Sequence, residues 1–237
     1  MSVFDDLLVV QEHDTAVDRL RHRRVTLPER AELARVEDDL ASLERTLADV
    51  VVRRDEVAAR QKRLEADLAA VEAKIAEIQN RLYSGAVTVP RELQAMQAEV
   101  DSLGRRQSSL EDDVLEAMTE REPLDEEVAG LEATRAAHDQ DGARLRAAIV
   151  EAEVAIDAEL AGEQQARVAA AASIPAELGT LYEDLRRRLS GVGAARLVNG
   201  RCSGCHLTLP ATELDRIRRE PPDTLIRCDQ CGRILVR

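Results

Sequence analysis

Leu33-Ala34-Arg35-Val36-Glu37-Asp38-Asp39-Leu40-Ala41-Ser42-Leu43-Glu44-Arg45-Thr46-Leu47 places its apolar residues alternately three and four apart. The same step runs on through Val50, Arg54, Val57, Gln61, Leu64, Leu68, Val71, Ile75, Ile78 and Leu82, broken in polarity only by Arg54 and Gln61. A seven-residue repeat sustained this long is the mark of a left-handed coiled coil rather than of an amphipathic surface helix. It stops at Tyr83-Ser84-Gly85-Ala86-Val87-Thr88-Val89-Pro90, where glycine and proline signal a turn. It resumes at Leu93, Met96, Val100, Leu103, Gln107, Leu110, Val114, Ala117, Arg121, Leu124, Val128 and Leu131. Beyond these it weakens through Arg135, His138 and Gly142 before Leu145, Ile149, Ala152 and Ile156.

Two seams joined by a short turn lie antiparallel, so positions whose numbers add to about 175 are expected to face each other. Leu82 then meets Leu93, Ile75 meets Val100 and Leu47 meets Val128. Arg54 and Arg121 meet in the same register. Two guanidinium groups cannot share a dry seam, so they are expected to snorkel outward or pair with Asp55, Glu120 or Glu122. Pro123 is expected to bend the second arm. An arm of about 50 residues spans about 75 Å, which makes it a spacer.

Composition agrees with a thin helical molecule. Aromatic residues make up 1% of the 237, namely Phe4, Tyr83 and Tyr182, while charged residues make up 33%. The sequence reads as mostly α: an N-terminal helix over 1–27, an antiparallel coiled-coil hairpin over 28–172 with its turn at 83–90, and a short helix plus a small zinc-ribbon domain over 173–237. Pro28 separates the first helix from the second, and that first helix is expected to fold back toward the C-terminal domain. Pro175 opens a new helix that should end at Gly191-Val192-Gly193.

The C-terminal domain is decided by four cysteines in two pairs, Cys202-Ser203-Gly204-Cys205 and Cys228-Asp229-Gln230-Cys231, separated by 22 residues. Two C-x-x-C knuckles supply four soft ligands from two directions, which suits one tetrahedral Zn2+. Four thiolates leave no open position, so the ion is read as structural. Some 36 residues bury too little apolar surface to fold by that means alone, and metal ligation supplies the difference. Strands are expected over Ala195–Gly200, Thr224–Arg227 and Arg233–Val236, with a short helix over Ala211–Arg219 started by Thr212. Asn199-Gly200 and Gly232 are expected to take positive φ.

Other readings of the pairs fit less well. Cys202-Ser203-Gly204-Cys205-His206 matches a haem-attachment pattern, but that chemistry needs export and leaves the second pair unexplained. A thioredoxin-like use of one pair wants a βαβ setting that is absent here. His206 would compete for a place that the four thiolates already fill, and is read as exposed.

Formal charge is −13 overall. From Leu185 to Arg237, 11 arginines stand against five acids, so this stretch carries +6 and the rest −19. Only the basic end is suited to approach a polyanion. No stretch has the length and apolarity of a membrane span, the N-terminus lacks a signal-peptide plan, and paired cysteines in a reducing compartment hold metal. The expected location is the cytoplasm.

The chain resembles, over essentially its full length, bacterial proteins that join a long coiled-coil hairpin to a C-terminal C4-type zinc ribbon. The resemblance is carried by Gly200-Arg201-Cys202-Ser203-Gly204-Cys205, Leu209-Pro210, Ile217-Arg218 and Cys228-Asp229-Gln230-Cys231-Gly232-Arg233-Ile234-Leu235, and at the hairpin tip by Arg91-Glu92-Leu93-Gln94-Ala95 and Glu99. Thr88 and Arg91 stand where the tip often carries asparagine and lysine, and the chain ends in Val236-Arg237 rather than an aromatic residue. The resemblance implies an adaptor, since members have been linked to an alternative sigma factor, to flagellar regulation and to messenger RNA.

Two functions follow. The first is a non-enzymatic adaptor whose ribbon or hairpin tip docks a protein of the transcription or translation machinery, the rod setting the distance. The second is RNA or DNA binding by the C-terminal domain through Arg186, Arg187, Arg188, Arg196, Arg201, Arg216, Arg218, Arg219, Arg227 and Arg233. The ribbon offers no aromatic platform for stacking bases, which disfavours sequence-specific single-strand reading. The acidic overall charge places the adaptor first. No triad, phosphate loop or open metal site supports an enzyme.

Overall fold

A computed structural model describes residues 2–237. Helix α1 spans Val3–Val25, α2 Pro28–Tyr83, α3 Pro90–Ala171, α4 Ala176–Arg188 and α5 Ala211–Arg219. Strands β1 (Ala194–Val198), β2 (Arg201–Cys202) and β3 (Ile234–Val236) complete the chain. Two compact units result, one made of residues 33–144, the other of residues 1–32 together with 145–237.

The first unit is the antiparallel pairing of α2 with α3. Val50, Leu124 and Val128 are buried together, with Leu47, Val51, Val57 and Leu131 packed around them, so Leu47 and Val128 sit in the register that the heptads predict. Ion pairs across the arms keep nearly that register: Lys74 with Glu99 at 3.0 Å, Arg135 with Glu44 at 3.4 Å, and Arg60 with Glu120 at 2.5 Å. Arg54 binds Asp55 at 2.7 Å, as expected. Arg121 instead reaches Asp125 at 3.0 Å, one turn along its own helix, and donates to Gln61 Oε1 at 3.4 Å. Asp125 also lies 4.0 Å from Arg54, so one carboxylate stands between the two guanidinium groups at the seam's edge. Pro123 is carried inside α3, where it leaves the carbonyl of Thr119 without its helical donor.

In the second unit α1 runs antiparallel to the end of α3. Ser2 caps α1 in a reciprocal capping box with Asp5, and Asp5 and Asp6 face the positive end of the helix dipole. His13 meets Glu163 at 2.7 Å, Arg24 meets Asp157 at 2.9 Å, and Arg30 meets Glu153. Ion pairs this open to solvent contribute little singly. The apolar contacts matter more: Leu7, Leu8 and Val10 of α1 bury against Tyr182 and Leu185 of α4 and against Ala194, Ile234 and Val236 of the sheet. The N-terminal helix does fold back on the C-terminal domain.

Polar groups fix how α1 sits. Gln11, 6% exposed, accepts from the N–H of Gly193 at 2.7 Å and of Ala194 at 3.3 Å while donating to the Gly191 carbonyl at 2.9 Å. Asp14, 4% exposed, accepts from Tyr182 Oη at 2.7 Å and Arg167 Nε at 3.1 Å. Burial and the Asp14 carboxylate both push the Tyr182 hydroxyl well above its ordinary pKa, so it stays a donor. Gly193 lies so close to Tyr182 that a Cβ there would stand 2.8 Å from the Tyr182 carbonyl oxygen, a backbone atom that cannot swing away.

The sheet has the order β2-β1-β3, with β1 antiparallel to β2 and parallel to β3. Thr224–Arg227, expected as a strand, makes only an isolated bridge from Arg227 to Ile234, on the edge of β3 away from β1. Helix α5 has the expected bounds, but Pro210 precedes it and no side chain caps it, so Thr212 does not start the helix. Helix α4 ends at Arg188, short of the Gly191-Val192-Gly193 turn.

Replacing Asp14 with alanine leaves the buried Tyr182 hydroxyl without its acceptor, while Arg167 keeps Glu183. The expected loss is about 1–3 kcal/mol of unfolding free energy, read by urea denaturation of the full chain, with a smaller loss for Asp14→Asn.

Candidate metal centre

The two knuckles are built alike. Cys202 donates its N–H to the Leu207 carbonyl at 3.1 Å and accepts from His206 N at 2.8 Å. Cys228 donates to the Arg233 carbonyl at 2.9 Å and accepts from Gly232 N at 2.7 Å. His206 and Gly232 thus hold equivalent places, and both take positive φ, 60° and 74°. Glycine adopts this conformation freely, whereas histidine adopts it at a cost. His206 is exposed, as expected, and lies outside the cysteine cluster. Asn199 and Gly200, at φ 52° and 76°, turn β1 into β2 as expected.

An arginine closes each knuckle. Arg201 Nη2 donates to the His206 carbonyl and Arg227 Nε to the Gly232 carbonyl, both at 2.9 Å. Each arginine immediately precedes the first cysteine of its pair, so the repeated unit is R-C-x-x-C rather than C-x-x-C.

The four Sγ atoms all lie within 4.8 Å of one another, with Cys202 to Cys231 at 3.9 Å and Cys205 to Cys228 at 4.0 Å. Four sulfurs about 2.3 Å from one centre stand about 3.8 Å apart in a tetrahedron, so this donor set fits a zinc ion. Cys202 and Cys228 are buried, and Cys205 and Cys231 half-buried. Burial raises the Cys202 thiol and pushes Cys228 up to about 12. Burial also acts upward on Cys231, but hydrogen bonds from the backbone and side chain of Arg233 prevail and bring it down to about 7. A bound cation would favour all four thiolates.

Behind the cysteines, Ala195, Leu209, Ile217, Ile226 and Leu235 form the ribbon's own small core. Arg237 closes its lower edge: the guanidinium donates to the carbonyls of Ile217 at 2.9 Å, Glu220 at 2.8 Å and Pro221 at 2.5 Å, capping the end of α5. The sequence reading missed this role. A cation after an apolar strand carries no signal of which helix end it will reach.

The ten arginines named for nucleic acid fall into distinct settings. Arg186 is drawn inward, 2.7 Å from Asp18 and 3.6 Å from Asp14. Arg233 donates to the carbonyls of Val192 at 2.9 Å and Leu189 at 3.0 Å, tying the second knuckle to the end of α4. Arg201 and Arg227 close the knuckles. Arg187 pairs with Asp184, Arg216 with Asp229 and Arg218 with Asp215, while Arg196 stands 3.9 Å from Asp5. Arg188 donates to the Asp184 carbonyl at 3.2 Å. Five of the ten, Arg188, Arg201, Arg219, Arg227 and Arg233, have no carboxylate within ion-pair distance among the described residues, and of these Arg201, Arg227 and Arg233 are held by the carbonyls named above.

Residues 10–190 match the model of the CT398-like coiled coil hairpin domain, and residues 201–235 that of the C4-type zinc ribbon domain. The chain is 33% identical over 238 residues to two uncharacterized proteins of Mycobacterium tuberculosis, MT2288 and Rv2229c, covering 98% of this chain and 94% of each relative. A solved structure from Mycobacterium smegmatis matches with a TM-score of 0.87 at 26% identity, over all of both chains. CT398 from Chlamydia trachomatis matches with a TM-score of 0.65 at 21% identity, over 99% of this chain and 97% of that one. HP0958 from Helicobacter pylori gives 0.53 at 18% identity, over 99% and 96%. No described helix is long and apolar enough to cross a membrane.

Zinc uptake must displace the protons of at least Cys202 and Cys228 near neutral pH. Apparent affinity should therefore rise at least about a hundredfold per pH unit between roughly pH 6.5 and 7.5, measured by competition with a chromophoric chelator. Cys228→Ser should abolish stoichiometric zinc. Arg201→Ala and Arg227→Ala should each retain zinc but lower the unfolding free energy by about 0.5–1.5 kcal/mol, read by denaturation of the zinc-loaded chain.

Proposed function

We propose that this chain, which belongs to the CT398-like coiled coil hairpin family, is a non-enzymatic adaptor of the cytoplasm, with one structural zinc ion per chain held by Cys202, Cys205, Cys228 and Cys231. Its ribbon unit docks a protein of the transcription or translation machinery, and the hairpin sets the distance. The observation that carries this reading is the fate of the basic residues. In the unit that the charge count singled out, Arg186, Arg201, Arg227 and Arg233 are spent on internal carboxylates and carbonyls. What the ribbon turns outward instead includes apolar side chains: Val198 is 47% exposed, Leu207 51% and Leu225 42%. Apolar groups in water beside a polar rim suit a protein partner better than phosphates.

Four thiolates around one ion leave no position for substrate, which agrees with a non-enzymatic role. The zinc makes the docking surface by holding the knuckles in place. Crosslinking in cells, followed by identification of the bound species, tests the reading. The wild-type chain should capture a defined protein of transcription or translation, and Cys228→Ser should lose it. Recovery of RNA with no protein would overturn it.

The second reading, RNA or DNA binding, keeps one point in its favour, since Arg188 and Arg219 are exposed and free of acidic partners. On this reading Arg188→Glu with Arg219→Glu should sharply weaken binding, and the affinity of the wild type should fall steeply between about 50 and 200 mM salt. Filter binding to duplex DNA and to single-stranded RNA decides it, and no binding at low salt would exclude it.

A further inference from the structure

The groove between the first turn of α1, the start of α4 and the loop after α5 has a volume of about 470 Å³. Its apolar surface comes from Val3, Phe4, Leu178, Leu181 and Leu225, and its polar members are Glu177 and Asp223. The size falls within the roughly 300–1,000 Å³ of ligand pockets, though the groove is open along one side as a peptide site would be. Neither carboxylate has an ion-pair or hydrogen-bond partner among the described residues. Elsewhere in this unit Asp5, Asp14, Asp18, Glu183 and Asp229 each have an arginine. Eleven arginines follow Leu185, yet none reaches these two acids.

We propose that this groove is the docking site for a segment of a partner protein that is both aliphatic and basic, an amphipathic helix with leucine-type residues on one face and lysine or arginine beside them. The proposal rests on the adaptor reading and deepens it by giving the partner's chemistry and its place of contact. Charge complementarity selects the occupant. Phosphates would be repelled by Glu177 and Asp223 and would leave the apolar floor wet, whereas a cation flanked by leucines satisfies both. Glu177 lies in the first turn of α4, at the rim of the groove where that cation would sit.

The groove is also tied to the metal. Asp223 and Leu225 belong to the stretch that enters the second knuckle: Ile226 is buried in the ribbon core and its carbonyl accepts from Leu235 N at 2.9 Å, and Cys228 follows directly. One wall of the groove is therefore placed by the cluster that holds zinc, the other by α1 and α4.

Selection of roughly 16-residue peptides from a random phage library on the zinc-loaded full-length chain tests the proposal. Enriched sequences should carry aliphatic residues three and four apart with lysine or arginine near them. Their affinity, read by fluorescence anisotropy, should fall at least about tenfold for Leu225→Glu and for the pair Glu177→Lys with Asp223→Lys. Leu225, Glu177 and Asp223 are exposed, and zinc content with the unfolding midpoint verifies each variant. Should Leu225→Glu fail to fold, the charge-reversed pair still decides. Failure to enrich, enrichment of acidic peptides, or undiminished binding to the charge-reversed chain overturns the proposal. In cells, a charge-reversed chain that captures the same protein as wild type overturns the groove and leaves the adaptor standing, whereas a wild-type chain that captures no protein removes the adaptor itself.

Discussion

The parallel pairing of β1 with β3 is the contact on which the C-terminal unit depends. These strands are short, five and three residues, and all of β3 is buried. Successive side chains of a strand point to opposite faces, so the two together serve two cores at once. Ala194, Ile234 and Val236 face Leu7, Leu8, Val10, Tyr182 and Leu185. Ala195 and Leu235 face the cysteines, Leu209, Ile217 and Ile226. The ribbon is thus not a coreless tail shaped by metal alone: one face of its sheet is completed by helices from both ends of the chain. Gln11 reinforces this join by bonding the backbone at Gly193 and Ala194, where β1 begins.

The hairpin was readable from the sequence because its determinants are local and repeated. A heptad pattern states which face is buried, and the glycine and proline of the turn state where the chain reverses, so the register of Leu47 with Val128 followed from counting. The cysteine pairs were readable for the same reason, since ligand type and spacing are themselves the chemistry. What escaped was the work of polar residues whose partners are far away in sequence. Gln11 and Asp14 are ordinary surface residues by type, and only the return of α4 and β1 to α1 buries them. Net charge measures how many cations a segment has, and says nothing of how many are already bonded. A signal did exist in the arginine that precedes both cysteine pairs, because a residue repeated at the same offset from a structural motif belongs to that motif.

The seam of the hairpin handles its charges differently. Arg54 and Arg121 lie where the heptads call for apolar residues, and Asp125 stands between them at 4.0 and 3.0 Å. Both arginines remain partly exposed, with side chains 28% and 42% accessible, so neither carries the desolvation cost of a buried ion. An outward-facing charged step in the seam favours one register over a slip by a heptad, since a slipped Arg54 would lose Asp125 of the facing arm, whereas Arg121 holds that carboxylate within its own helix.

The cysteine cluster and the proposed docking groove are joined through a single stretch of chain. Ile226 is fixed from two sides, by burial in the ribbon core and by the backbone bond from Leu235, and Leu225 points outward from the same backbone. A side chain next to a buried residue in extended chain is held at a defined angle only while the buried neighbour is held. Loss of the ion would free Cys228 and with it Ile226, so the apolar side chain outside would lose its position along with the sulfur inside. On the adaptor proposal, an ion held by the four cysteines would act on recognition through geometry, by keeping one leucine where α1 and α4 leave a place for it.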